Sequence, residues 1–404
     1  MNSQDPMHWW QRPDLGYHNG RLQFAGRDVE QLAAMFGTPS FAYSAQRIQD
    51  KLRAIQGALD HAGFAGRHRI LYAMKANRFA PLLTYLKQTG LCGIDACSPQ
   101  EVEHAVSCGF APADISFTAT SLSAADFAML ARYDGLFMDC DSLHAINTWG
   151  ELKPGSDIGI RVNPGIGISR AGNDKLQYAG GFTSKFGIYR EQFAEAMAVA
   201  RKHRLTISKI HFHTGCGYLT AQLPQLENVI GECLWFVEQA GDVRTVNIGG
   251  GLGVPHVAGE KPLDLAAWAS LLARQFVSED IRLEVEPGDY IVKDAGLLLL
   301  GQTYLEHKRD LLFLGTDAGF NIAPEPAHYK LPFQPVPLRY QGEACHSVQV
   351  VGHINEALDV WAQDAQLPDM QGQPFLALIN SGAYSASMAS NHCMRGQLRE
   401  FLLL

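Results

Sequence analysis

Short apolar runs recur through the middle of the chain, at residues 70–74, 93–96, 115–118, 135–138, 158–162, 207–213, 243–248 and 281–285. Each has the length and content of a buried strand. Between most of them lie stretches with helical spacing of apolar positions, at 99–106, 124–132, 191–202, 223–239 and 265–276, and another at 46–61 precedes the first run. Strands alternating with helices in this way predict an α/β fold, a (β/α)8 barrel of the TIM type. The longest gap, between the fifth and sixth runs, holds a Gly/Ser-rich segment at 165–187 that reads as an active-site loop. After Gly288 the rhythm changes. Strand-like runs at 311–314, 347–351 and 375–379 lie among turn residues without long helices, which predicts a β-rich second domain. Residues 1–40 are mixed and broken by Gly16, Gly20 and Gly26. The expected division is a barrel at 41–290 and a β-rich domain built from 1–40 together with 291–404.

The bulk numbers narrow the function classes. A chain of 404 residues exceeds what one small core supports, so two domains are expected. Apolar content of 47% with 18% charged residues is that of a folded protein. A formal net charge of -8 argues against a general nucleic-acid binder. The eight cysteines form no CxxC pair and no small-domain spacing, so neither a metal site nor a disulfide framework is expected, and reduced thiols fit a cytoplasmic location. The amino terminus shows no basic segment followed by an apolar one, and apolar runs such as 296–301 are far too short to span a bilayer. No membrane partner is expected.

Candidate chemistry begins at Lys75, which closes the first apolar run within Leu71-Tyr72-Ala73-Met74-Lys75-Ala76-Asn77. A lysine there has three readings: an ion pair with a carboxylate, a stem that snorkels to solvent, or an amine that forms a Schiff base to a carbonyl. In a barrel, residues just after the strands gather at one face, and that face carries the chemistry. His213 stands at the end of the sixth run, Gly249, Gly250 and Gly251 follow the seventh, and Glu286-Pro287-Gly288 follows the eighth. Taken singly, each has a plain structural reading: a hydrogen-bonded core histidine, a flexible turn, a solvated rim carboxylate. Together they make one device. A lysine amine, a glycine loop whose N–H groups can cradle a phosphate, a flat ring for stacking and a carboxylate for a pyridinium nitrogen are what pyridoxal phosphate requires.

With these motifs in this order, the chain from about Phe41 onward resembles the fold-type III pyridoxal-phosphate decarboxylases, closest to their diaminopimelate decarboxylase branch, with ornithine and arginine decarboxylases as relatives. The resemblance rests on YAMKAN, HFHTGCG, NIGGGLG, EPG, Ser184-Lys185-Phe186-Gly187-Ile188, Asp317-Ala318-Gly319, Gly382-Ala383-Tyr384, and Met388-Ala389-Ser390-Asn391 leading to Arg395. It implies an alanine racemase-like barrel with a C-terminal β-domain and pyridoxal phosphate as cofactor. It implies Lys75 as the cofactor lysine, His213 over the ring, and Gly249–Gly251 with Cys216 and Tyr384 near the phosphate. Glu286 and Gly288 are implied at the ring nitrogen. Asp289, Asn321 and Glu356 are expected to face an amino-acid-like substrate, with Asn355 and Glu356 in the catalytic set. The family also implies a homodimer with shared active sites.

Four positions depart from the family pattern. Val350-Val351-Gly352-His353-Ile354-Asn355-Glu356 aligns with a segment whose cysteine, the α-carbon proton donor, is here Asn355, an amide that is no acid at neutral pH. His353 replaces a proline, and His353, water or Lys75 are the remaining proton sources. Asp289 replaces the arginine after EPG and reverses a charge, which favours a cationic or neutral substrate group over an acidic one. Cys216 replaces a serine, and Ser381 an aspartate. The reading is therefore removal of the α-carboxylate from an amino acid, or from a larger metabolite with an amino-acid end, with a specialised polyamine- or siderophore-type substrate preferred. The alternatives are a pyridoxal-phosphate racemase or decarboxylation-dependent transaminase, and a non-catalytic regulatory homologue.

Overall fold

The structure is a computed structural model that describes residues 7–170, 173–180, 182–276 and 281–404. It divides into two compact units: Lys51–Gly253 with Pro262–Tyr290, and Met1–Asp50 with Val254–Lys261 and Ile291–Leu404.

The first unit is a closed barrel. Its strands are His68–Ala73, Gly93–Ala96, Ile115–Ala119, Phe137–Cys140, Asp157–Asn163, Thr206–His211, Thr245–Asn247 and Arg282–Val285. Each pairs in parallel with its neighbour, and the eighth pairs back onto the first, with Val285 opposite Ile70. All eight expected strands are present, with shifts at their ends. The sixth stops at His211 rather than running to His213, and the fourth lies at 137–140 rather than 135–138. Helices Pro99–Ser107, Ala124–Leu130, Arg190–Lys202, Leu223–Ala240 and Leu265–Gln275 fill the connections where their apolar spacing placed them. Capping fixes several starts: the Ser98 hydroxyl accepts from the Glu101 N–H, and Ser123 with Asp126 forms a reciprocal capping box.

The second unit carries a mixed sheet in which Gly296–Lys308 is the long central strand. It pairs antiparallel with Leu311–Thr316, Phe375–Ile379 and Ser40–Ser44, and Arg399–Leu403 runs parallel beside Ser40–Ser44. Leu297 and Leu299 join Phe24, Val336, Ala377 and Ile379 in one fully enclosed cluster. Each such leucine contributes roughly 1.5–3 kcal/mol by leaving water. Residues 41–50 and 254–261 belong to this unit rather than to the barrel. Strand pairing holds the first of these segments, and the second is held by the Asn380 amide donating to the Pro255 carbonyl. Among the described residues no helix is long and apolar enough to cross a membrane.

Candidate active site

Lys75 lies in a single 3-10 turn, Met74–Ala76, directly after the first barrel strand. That turn rests on Gly288: a Cβ there would come within 3.1 Å of the Ala73 carbonyl oxygen and 3.0 Å of the Ala76 methyl. The Lys75 side chain is 41% exposed, and Nζ donates to Asp95 Oδ2 at 3.3 Å and to Cys97 Sγ at 3.5 Å. Asp95 is buried, and burial followed by the Glu286 charge raises its pKa, while the Lys75 ammonium opposes that rise. Burial and the Asp95 charge push the Cys97 thiol up to about 12, so it stays protonated.

His213 follows the sixth strand by two residues. Its ring lies 4.9 Å from that of Tyr178, and burial, then the charges of Lys75 and Arg161, lower its pKa and keep it neutral. Three residues on, the Cys216 N–H donates to the Leu176 carbonyl at 2.9 Å.

After the seventh strand, Gly249 and Gly251 adopt φ of +68° and +97°, a region that favours glycine, and a Cβ on Gly250 would stand 2.2 Å from the Glu286 carbonyl oxygen. The Asn247 side chain organises this corner. Its Oδ1 accepts the Gly249 N–H at 2.8 Å, and its Nδ2 donates to Glu286 Oε1 at 2.6 Å. Glu286 is buried, and burial raises its pKa against the pull of Lys75, Lys209 and the Asn247 bond. Below this layer the buried Lys209 ammonium contacts Asp139 at 2.7 Å, Ser116 at 2.9 Å and Glu284 at 3.1 Å, and those two carboxylates hold it charged. Asp289 is buried at the start of helix Asp289–Val292. Asn163 pins the segment after the fifth strand by donating to Ser184 Oγ and to the Phe186 carbonyl.

The donor set of the barrel fits pyridoxal phosphate: an accessible lysine amine, a neutral imidazole, a glycine turn with left-handed backbone and a buried carboxylate reached from the next strand. Residues 45–293 match the family described as pyridoxal-dependent decarboxylase, pyridoxal binding domain, and residues 276–382 match the C-terminal sheet domain of pyridoxal-dependent decarboxylases. The chain belongs to the pyridoxal-dependent decarboxylase family. Diaminopimelate decarboxylase of Methanothermobacter thermautotrophicus is 32% identical, over 97% of this chain and 92% of that protein. That of Escherichia coli strain K12 is 30% identical, over 92% and 90%. The solved diaminopimelate decarboxylase of Helicobacter pylori, complexed with L-lysine, superposes with a TM-score of 0.83 at 26% identity, covering 93% of this chain and 94% of that one. The protein is thus a pyridoxal-phosphate-dependent amino-acid decarboxylase.

The decarboxylase's β-rich unit holds the other expected site residues. Tyr384 has φ of +52°, with the Lys293 ammonium 5.7 Å from its ring centroid. Asn321 is buried and donates to the Ser390 and Arg395 carbonyls at 3.2 and 2.9 Å, so its amide hydrogens anchor the C-terminal segment. Asn355 and Glu356 lie on an exposed turn, where Glu356 Oε1 is 3.3 Å from His392 Nε2. Arg395 Nη1 sits 3.1 Å from His353 Nδ1. Guanidinium only donates, so Nδ1 accepts and the proton resides on Nε2. Burial and then the Arg395 charge lower the His353 pKa, which leaves the ring unprotonated and argues against it as a proton source. Ser381 donates to the Leu378 carbonyl at 2.8 Å.

Sequence reading passed over Asp95, Cys97 and His211 and assigned Asn247 no role. The signal for three of them was parity: Asp95, His211 and Asn247 are inward positions of barrel strands, where a polar residue in an apolar run requires a partner.

Proposed function

We propose that this decarboxylase removes the α-carboxylate from an amino acid, or from a metabolite with an amino-acid end, whose distal group is cationic or neutral. The observation that carries this reading is Asp289, a buried carboxylate immediately after Glu-Pro-Gly, where an anionic substrate group would meet like charge. Lys75 would hold the cofactor through its amine and yield that place to the substrate amine. His213 would cover the ring face, the N–H groups of Gly250 and Gly251 would receive the phosphate, and Glu286 would face the ring nitrogen. The bound cofactor supplies an electron sink for the bond to the departing carboxylate. Asp95 beside Lys75 would keep the amine oriented, with the Cys97 sulfur 3.5 Å from the same nitrogen. A polyamine- or siderophore-type metabolite meets the charge requirement.

A second reading, diaminopimelate itself, draws on the similarity to proteins of that name. Carbon dioxide release and product identification with meso-diaminopimelate, L-ornithine, L-lysine and L-arginine separate the two. Turnover of diaminopimelate well above the other substrates would sink the proposed specificity. Keto or aldehyde products, or α-proton exchange without carbon dioxide, would select the transaminase or racemase reading. We place the protein in the cytoplasm as a homodimer. None of its cysteines is in a disulfide, which supports the compartment, and sedimentation of the holoprotein tests the dimer.

A further inference from the structure

Two inward rungs stack inside the barrel. On the sixth strand Lys209 and His211 are two residues apart, and on the eighth side so are Glu284 and Glu286, so each pair shares one face. Asn247 sits between them in register, opposite His211 on one side and Glu284 on the other. In the lower rung the Lys209 ammonium has Asp139, Glu284 and Ser116 as partners, although the second Asp139 oxygen has none. The upper rung is less well satisfied. His211 Nε2 stands 3.2 Å from Glu286 Oε2 without the alignment of a full hydrogen bond, and neither of its buried ring nitrogens has a hydrogen-bond partner. A buried polar atom in that state is retained against a cost, and the Glu286 carboxylate is the acceptor within reach.

We infer that His211 is a positioning residue for Glu286, presenting Nε2–H to one carboxylate oxygen while Asn247 holds the other, so that the carboxylate stays ionised and correctly turned toward the cofactor's ring nitrogen. This rests on the assignment of Glu286 to that nitrogen. The Asn247 amide has only one workable orientation, because its oxygen already accepts the Gly249 N–H; its nitrogen therefore faces Glu286 and ties the phosphate loop to the ring-nitrogen end. His211 acts as a neutral donor rather than a second cation. Burial, with Arg161 and Lys209 adding to it and Asp139 and Asp95 opposing, lowers its pKa to about 3. Glu286 itself faces Lys75, Lys209 and Glu284 besides these two donors. Removing a donor from a buried carboxylate favours its protonated form, which in turn strips the ring nitrogen of its partner.

The test uses holoprotein loaded with pyridoxal phosphate labelled with nitrogen-15 in the ring, and needs no substrate. The ring-nitrogen chemical shift is followed against pH, together with the cofactor dissociation constant. For His211→Phe, the ring nitrogen is expected to lose its proton about one pH unit earlier than in wild type, a tenfold change in that equilibrium, with His211→Gln, which keeps an N–H donor, restoring most of it. Should the phenylalanine variant fail to fold, His211→Met, apolar and more adaptable in shape, carries the same expectation. A folded, cofactor-loaded apolar variant that titrates as wild type would overturn the inference. Glu286→Gln is the control: an unchanged titration there would remove the Glu286 assignment itself, and the inference with it.

Discussion

Two carboxylates, Glu286 at the barrel mouth and Glu356 on the β-rich unit, are held in opposite ways. Glu286 is buried, with Asn247 on one oxygen at 2.6 Å and His211 3.2 Å from the other. The Glu356 side chain is 46% exposed, and its His392 partner is 43% exposed. Groups on barrel strands cannot be exchanged without leaving a neighbour unpaired in the interior, whereas groups on the 353–359 turn can change at little cost to the fold. The departures at His353 and Asn355 fall on that turn. Cys216, Ser381 and Asp289 lie off that turn, and Asp289 is the buried position whose charge is reversed, which is why it carries the proposal on substrate.

The comparison predicts a graded set of effects. Lys75→Ala should lower turnover by a factor on the order of 10³ or more, since it removes the proposed cofactor amine. Borohydride reduction and peptide mapping should then find no trapped cofactor, and a variant retaining full turnover would sink the site. Lys209→Met tests the buried side. It leaves Asp139 without its cation and Glu284 with only Arg69 at 3.8 Å, and should destabilise the fold by about 3–5 kcal/mol in urea unfolding. A loss below about 1 kcal/mol would mean water or relaxation reaches that layer.

Acid titration sharpens the contrast further. His211 has a folded pKa of about 3, below its unfolded value, so between these values the unfolded chain binds the extra proton and stability falls as pH falls. The expected slope from this group approaches about 1.4 kcal/mol per pH unit below roughly pH 6.5, and His211→Phe should flatten it. Asn355→Cys probes the exposed side. It introduces an acidic proton and should raise amine product over aldehyde by up to about tenfold, with no measurable change in stability. A product ratio that does not move would place the returning proton elsewhere, with Lys75 and Cys97 the groups at hand.

How much of this was legible in the chain depended on the kind of interaction. Barrel strands and helices could be read because burial imposes a period on the sequence, and all eight strands appear within a few residues of their expected ends. The ends moved where tertiary contacts decide. Residues 207–213 look like one apolar strand, yet pairing with the seventh strand ends at His211 opposite Asn247, with Phe212 N–H on the Asn247 carbonyl as the last ladder bond. Lys75, His213, Gly249–Gly251 and Glu286 could be singled out as candidates because each sits in an ordered motif just past a strand. Asn321 could not be: only the structure shows its amide donating to two carbonyls some seventy residues away.

The sequence by itself determined the fold class, the pyridoxal phosphate chemistry and the family. These rest on local periodicity and on motifs whose order along the chain is itself the signal. Tertiary structure alone decided which groups meet across strands: Lys75 with Asp95 and Cys97, Asn247 bridging Gly249 and Glu286, His211 against Glu286, and Lys209 between Asp139 and Glu284. Their partners lie on different strands, so no local pattern encodes the pairing. The low-dielectric interior then sets their protonation, because a charge removed from water is held only by the neighbours that closure of the barrel supplies.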